Sequence, residues 1–162
     1  MAHASHPPHN VFATNHKARR DYEILESMEA GIQLIGTEIK SIRQHRVSID
    51  DSFARVDDGE VFLYNMHVSP YEQGGRFNAD PIRLRKLLLH HRQIDRLNGL
   101  LTQKRLTLVP LRLYDQHGLV KVELAVGKGK RAFEKRDRIR ERETQRELQR
   151  RVRRSPRNPS GE

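Results

Sequence analysis

Two stretches of alternating apolar residues, each doubled back around a glycine turn, most narrow what this chain can fold into. In LTLVPLRLYDQHGLVKVELAV, Leu106, Leu108, Leu111 and Leu113 alternate against Val120, Val122 and Leu124, with DQHG between the runs. In SFARVDDGEVFLYNMHVSPY, Phe53, Val56, Val61, Leu63 and Met66 flank DDGE. Side chains alternate across a strand with period two, so each stretch predicts a β-hairpin. Pro110 cannot donate to a ladder, and its place inside a run predicts an edge strand or a bulge.

Ile24, Leu25, Ile32, Leu34 and Ile35 predict a further strand, with a bend or bulge at Glu29-Ala30-Gly31. In GTEIKSIRQHR, Thr37 can cap a short helix that sets Ile39 and Ile42 on one face. YEQGGRFNADPIR reads as a loop. Residues 83–105 carry Leu87, Ile94, Leu97 and Leu101 at helical spacings and predict one long helix, weakened near Gly99. The fold class is therefore mainly β with helices. About six strands in antiparallel hairpins, with one long and one or two short helices, suit a small closed or half-closed β-barrel. Residues 15–126 hold this domain and suffice for a modest core. Residues 1–14, with Pro7-Pro8 and scattered His, read as a flexible arm.

The chain changes character at GKGKRAFEKR. Residues 127–162 contain 14 Lys and Arg against 6 Asp and Glu, a net of +8. Residues 1–126 contain 17 against 15, a net of +2. A segment of that sign seeks a polyanion. From Arg131 to Arg154 its sizeable apolar residues are Phe133, Ile139, Leu148 and Val152, whose spacing makes no continuous stripe. Glu134–Arg138 and Glu147–Arg151 have the favourable i, i+4 order, worth only ~0.3 kcal/mol each. The expectation for 127–162 is a basic tail, released by Gly127 and Gly129 as a hinge, disordered alone and helical when neutralised by a partner.

Several chemistries find no support. There is no cysteine, hence no disulfide, thiolate metal site or cysteine nucleophile. GKGK lacks the four-residue spacing and the Ser or Thr of a phosphate-binding P-loop. The His residues, including His3, His6 and His9 of the arm and the adjacent His90-His91, have no zinc spacing. Asp50-Asp51 and Asp57-Asp58 read as solvated acids rather than an acid/base pair. No window approaches the ~18 apolar residues of a membrane span, and MAHASHPPHN lacks a secretory apolar core. The reading is a cytoplasmic protein that is not an enzyme, with no cofactor and no metal.

The basic residues of the folded part are more informative. Lys17, Arg19 and Arg20 precede the first long strand, and Arg83, Arg85, Lys86 and Arg92 cluster in IRLRKLLLHHR. Small antiparallel barrels often bind nucleic acid, with Tyr, His and Arg stacking on bases. Together with the tail they predict RNA or DNA binding, without choosing between the two.

At these motifs the sequence resembles the SsrA-binding protein (small protein B) family. The resemblance runs through NHKARRDYEILE, GTEIKSIR, DSFARV, NMHVSPYEQG, DPIRLRKLLLH, LTLVPLRLY and VKVELAVGKGKRAFEKRD, roughly residues 15–138 in order. It implies an OB-like barrel that binds the tRNA-like domain of transfer-messenger RNA. It further implies delivery of that RNA, with elongation factor Tu, to stalled ribosomes for trans-translation. There the protein stands in for an anticodon arm, and its tail enters the empty mRNA channel beside the small-subunit decoding centre. By the same resemblance Glu38, Leu88 and His90 contact the RNA, and Lys17, Arg19, Arg20, Lys40, Arg85 and Lys86 join that surface. Lys128, Lys130, Arg131, Phe133, Glu134, Lys135 and Arg136 match the block used at the decoding site.

The match has departures. Arg20 and Ala79 stand where the family usually has histidine, and Glu134 where it has aspartate. Arginine stacks and binds phosphate but does not titrate near neutral pH, as histidine does. The alternative reading is a ribosomal or assembly protein that uses a barrel and a basic tail on rRNA.

Overall fold

A computed structural model of the chain describes residues 10–103, 106–130 and 132–154, with the side chains of 132–138 and 151–154 left out. The strands are β1 (Asn10–Thr14), β2 (Tyr22–Ile32), β3 (Val47–Ser48), β4 (Phe53–Asp57), β5 (Glu60–Tyr64), β6 (His67–Val68), β7 (Arg85–Leu88), β8 (Leu106–Gln116) and β9 (Leu119–Gly129). The helices are α1 (Ala18–Asp21), α2 (Gly36–Arg43), α3 (His91–Leu101) and α4 (Ala132–Arg154), with a 3-10 turn at Gly75–Phe77.

Six antiparallel strands close into a ring in the order β8, β4, β5, β7, β2, β9 and back to β8. β1 adds to the free length of β8, and β3 and β6 pair separately. Both hairpins foreseen from the alternation are present. Asp57 faces Glu60 across Asp58-Gly59, and Gln116 faces Leu119 across His117-Gly118. All four loop residues have positive φ, between 49° and 81°. Two left-handed residues in succession give the turn whose twist matches paired strands, and glycine takes its second position without a Cβ penalty.

The ring encloses Ile42, Ala54, Val61, Leu63, Met66, Leu87, Leu108, Leu113, Val122, Leu124 and Val126, covered further by Ile94 and Leu97 of α3. The bulge expected at Pro110 is present, as a register shift between Pro110 and Arg112. It changes the phase of β8: Leu108 and Leu113, five apart, both point inward. Val109 and Leu111 fall on the other face, where Ala18 of α1 and Ala125 cover them. Leu111 and Leu113 therefore do not share the face that simple alternation assigns. The edge expectation fails, because β8 pairs with β1, β4 and β9.

Other boundaries also differ from the sequence reading. The long helix over 83–105 is two elements. Arg85 and Leu87 are buried while Leu84 and Leu88 are exposed, which is the period of a strand, and helix begins only at His91. Adjacent apolar residues there satisfied a helical template locally, and pairing with β5 and β2 decided the matter. Thr37 is not the cap of α2. Ile35 is, and Glu38 accepts its N–H. The irregularity in β2 lies between Ile24 and Glu26, and 29–31 stay in register with β9.

Residues 10–14, assigned to the arm, form β1, and Phe12 is buried among core residues. The rest of the arm, residues 1–9, lies outside the described residues. Gly127 and Gly129 are not a hinge but the end of β9, facing Ile24 and Tyr22. A Cβ on Gly127 would stand 3.0 Å from the Tyr22 Cβ, so glycine is there for close approach. The chain divides into two compact units after Gly129, three residues beyond the boundary suggested by charge. The second unit contains α4, 23 residues long, with Ile139 and Leu148 exposed.

Candidate nucleic-acid interface

The first unit carries a buried ion pair beside an exposed surface. Arg85 on β7 points into the ring and is 0% exposed. A guanidinium there needs every donor satisfied. Its Nε donates to Glu38 Oε2 at 2.7 Å, and its Nη atoms donate to the carbonyls of Met66, Arg83 and Pro81 at 2.6, 3.0 and 3.2 Å. Glu38, on the first turn of α2, is 3% exposed. Its Oε1 accepts from Arg83 Nη2 at 2.6 Å and from the Ile35 N–H at 3.1 Å. Burial pushes the Glu38 carboxyl up, but the Arg83 and Ile35 hydrogen bonds and the Arg85 charge outweigh it. The net is a carboxyl held below its ordinary range. Burial likewise pulls Arg85 down, opposed by Glu38.

This network fixes what surrounds it. It ties the start of α2 to β7, and Gln33 N–H to Lys86 O at 3.0 Å adds a backbone link. On the outer side of β7, Leu84, Lys86 and Leu88 alternate with the buried Arg85 and Leu87. Leu88 is 47% exposed, and Lys86 donates to Glu60 at 2.6 Å while staying partly open. His90 is exposed at the N-cap of α3. Lys40, also exposed, lies on α2 with its Nζ 5.3 Å from the Tyr71 ring centroid.

Lys17, Arg19 and Arg20 are placed by Asn15. This buried residue donates Nδ2 to Pro110 O at 2.9 Å, while its Oδ1 accepts from the N–H groups of Lys17 and Ala18. The short helix α1 is thereby pinned outside β8, with Lys17 bonded to Asp51 and Arg20 to Asp21.

The residues expected from sequence thus separate into four sets. Leu88, His90, Lys86 and Lys40 reach the surface of the β7 and α2 region. Lys17, Arg19 and Arg20 lie on or just before α1. Glu38 and Arg85, expected at an RNA contact, are inside the fold, with their polar atoms engaged by protein. Glu38 and Arg85 are 3% and 0% exposed, so neither shows the open surface that Leu88 and His90 do. Lys128 is exposed near the end of β9, and Lys130 follows it. Phe133, Glu134, Lys135 and Arg136 fall within α4, but their side chains, like Arg131, lie outside the described residues.

Sequence reasoning missed the loop before β7. There Phe77 is 69% exposed and Tyr71 sits under Lys40. YEQGGRFN gave a loop signal but nothing that told an exposed aromatic from a packed one. Among the described residues no cluster of three or more His, Asp or Glu could hold a metal, and no helix is long and apolar enough to cross a membrane.

Residues 12–154 match the model of a family described as SmpB protein. The chain is 59% identical over 133 residues to the SsrA-binding protein of Caldicellulosiruptor saccharolyticus, covering 82% of this chain and 84% of that one. It is 58% identical to the SsrA-binding protein of Geobacillus thermodenitrificans, covering 82% and 86%. A solved structure described as "tmRNA-SmpB: a journey to the center of the bacterial ribosome" is similar with a TM-score of 0.62 and 52% identity. That similarity covers 74% of this chain and 84% of the other.

Proposed function

We propose that this chain, which belongs to the SmpB family, is an RNA-binding adaptor for transfer-messenger RNA in the rescue of stalled ribosomes. The observation that carries the proposal is family membership over most of the chain, joined to a fold that displays Leu88, His90, Lys86 and Lys40 on its surface. The adaptor reading is favoured over a general rRNA-binding role because relatives at 56–59% identity bear the name SsrA-binding protein.

The first unit binds the tRNA-like domain. The surface of β7 and α2 supplies apolar contact through Leu88, a ring through His90 and cations through Lys40 and Lys86. Glu38 and Arg85 hold that surface from within. The cations around α1 add phosphate contacts, which position an RNA without reading its sequence. The protein works in the cytoplasm, arrives with elongation factor Tu and performs no catalysis of its own. Its second unit enters the empty mRNA channel near the decoding centre, and Lys128 at the end of β9, Lys130, Arg131 and the head of α4 meet rRNA. α4 shows Ile139 and Leu148 to solvent, which supports a helix stabilised by an anionic partner rather than by an apolar stripe of its own.

Gel-shift titration tests the adaptor role. The tRNA-like domain of transfer-messenger RNA should bind far more tightly than a generic hairpin RNA of the same length. Equal affinity for the two would reject the adaptor in favour of the rRNA-binding alternative.

A further inference from the structure

Beside α2 lies a cleft of about 480 Å³ lined by Ile35, Gly36, Lys40, Tyr71, Gln73 and Phe77, among others. Its walls combine rings and cations. Phe77 is 69% exposed, and the Arg76 guanidinium carbon is 5.2 Å from its ring centroid. Lys40 stands over Tyr71, and Ile35 is 38% exposed. No carboxylate lines the cleft, and the nearest acid of α2, Glu38, is turned inward onto Arg83 and Arg85.

The aromatic wall is built in advance. Asn78 spans its loop, accepting the Tyr71 N–H at 2.9 Å and donating to Tyr71 O at 2.8 Å and Gly75 O at 3.2 Å. Thr37 Oγ1 donates to Phe77 O at 3.3 Å, which fastens the loop to α2. Gly74 lies so close to this joint that a Cβ would stand 2.9 Å from Thr37 Cγ2 and 2.8 Å from Asn78 Oδ1. A loop held by four polar contacts and a close packing point does not expose its largest apolar side chain for stability. Burial would favour that side chain, so its display points to a ligand.

We infer that this cleft receives one unpaired nucleobase of a bound RNA, stacked against Phe77 and Tyr71, with its flanking phosphates on Lys40 and Arg76. The occupant follows from the pairing of flat apolar faces with cations and no acid, which suits a base carrying its own anionic linkage. An apolar peptide would not use the cations, and a free anion would not use the rings. The inference rests on the RNA-binding reading above and adds to it a base pocket on a loop that reading does not use.

The chain has no tryptophan, so Phe77→Trp places a single indole, excited apart from the tyrosines, in the wall. The full-length variant is titrated with the tRNA-like domain of transfer-messenger RNA and, separately, with a single-stranded adenylate pentanucleotide. Both should quench the indole. Phe77→Ala should weaken binding of the tRNA-like domain by about 5- to 150-fold, the usual effect of losing one base–aromatic stack, with thermal stability unchanged. Gly36→Leu should weaken it comparably. A Cβ there meets nothing within 4 Å, so the fold survives while the added side chain crowds the cleft. An unquenched indole at saturating tRNA-like RNA, or wild-type affinity in Phe77→Ala, would overturn the inference. If wild-type protein fails to prefer tRNA-like RNA over a hairpin while the pentanucleotide still quenches, the cleft stands and the adaptor reading falls.

Discussion

Glu38 is a residue whose surroundings the sequence does not disclose. Its place in GTEIKSIR marked it as important, and the resemblance made it an RNA contact. Both partners that define its environment, Arg83 and Arg85, lie 45 and 47 positions further along. No local pattern reveals a pairing at that separation, so the residue was legible and its burial was not. Removing one member of a buried ion pair leaves the other charge uncompensated, at a cost of about 3–5 kcal/mol. Glu38→Ala should therefore lower stability by that amount in urea denaturation, and weakened RNA binding should follow from the disturbed surface. The pH dependence has a definite sign. The folded-state pKa of Glu38 is below its ordinary 4.5, so its contribution is fully present above that value and is lost as pH falls through the folded value. Glu38→Gln should flatten the stability profile in that acid window relative to wild type. An unchanged profile would mean that the carboxylate contributes nothing to folding.

At the scale of elements, the hairpins could be read from sequence because their turns and their alternation agree. Asp58-Gly59 and His117-Gly118 join runs that each bury one face. Residues 83–90 could not. Three consecutive leucines, Leu87 to Leu89, fit a helix or a strand equally, and only the closing of the ring through β5 and β2 selects the strand. The same choice turns Leu88 outward and Arg85 inward, so the candidate site depends on a boundary that periodicity alone does not define. Gly127 carries a similar lesson. Read as a hinge, it is a packing position, where β9 and Tyr22 of β2 approach too closely for a side chain. Gly127→Val should destabilise the first unit by about 1–3 kcal/mol, the range for overpacking, measurable as a lower thermal midpoint. A flexible hinge would tolerate the change, so an unaltered midpoint would reject the packing role.

For the whole molecule, the charge count locates, within three residues, a division that falls after Gly129 in the structure. Nearly all the excess charge, +8 of +10, belongs to residues 127–162. The folded unit is close to neutral, so the proposed RNA surface would work through shape, rings and a few placed cations. In the proposed function the long-range attraction falls to the tail. It has the composition to seek a polyanion but no apolar face with which to fold on itself. This separation predicts that the two activities can be cut apart. Ending the chain at Gly129 preserves every strand of the ring and removes α4. Such a protein should bind the tRNA-like domain within a few-fold of wild type at physiological salt, yet fail to support tagging of nascent chains on stalled ribosomes in a reconstituted translation assay. Restoring residues 130–154 should restore tagging. If truncation instead abolishes RNA binding, the tail is part of the RNA clamp, and the surface of β7 and α2 is not sufficient to hold the tRNA-like domain.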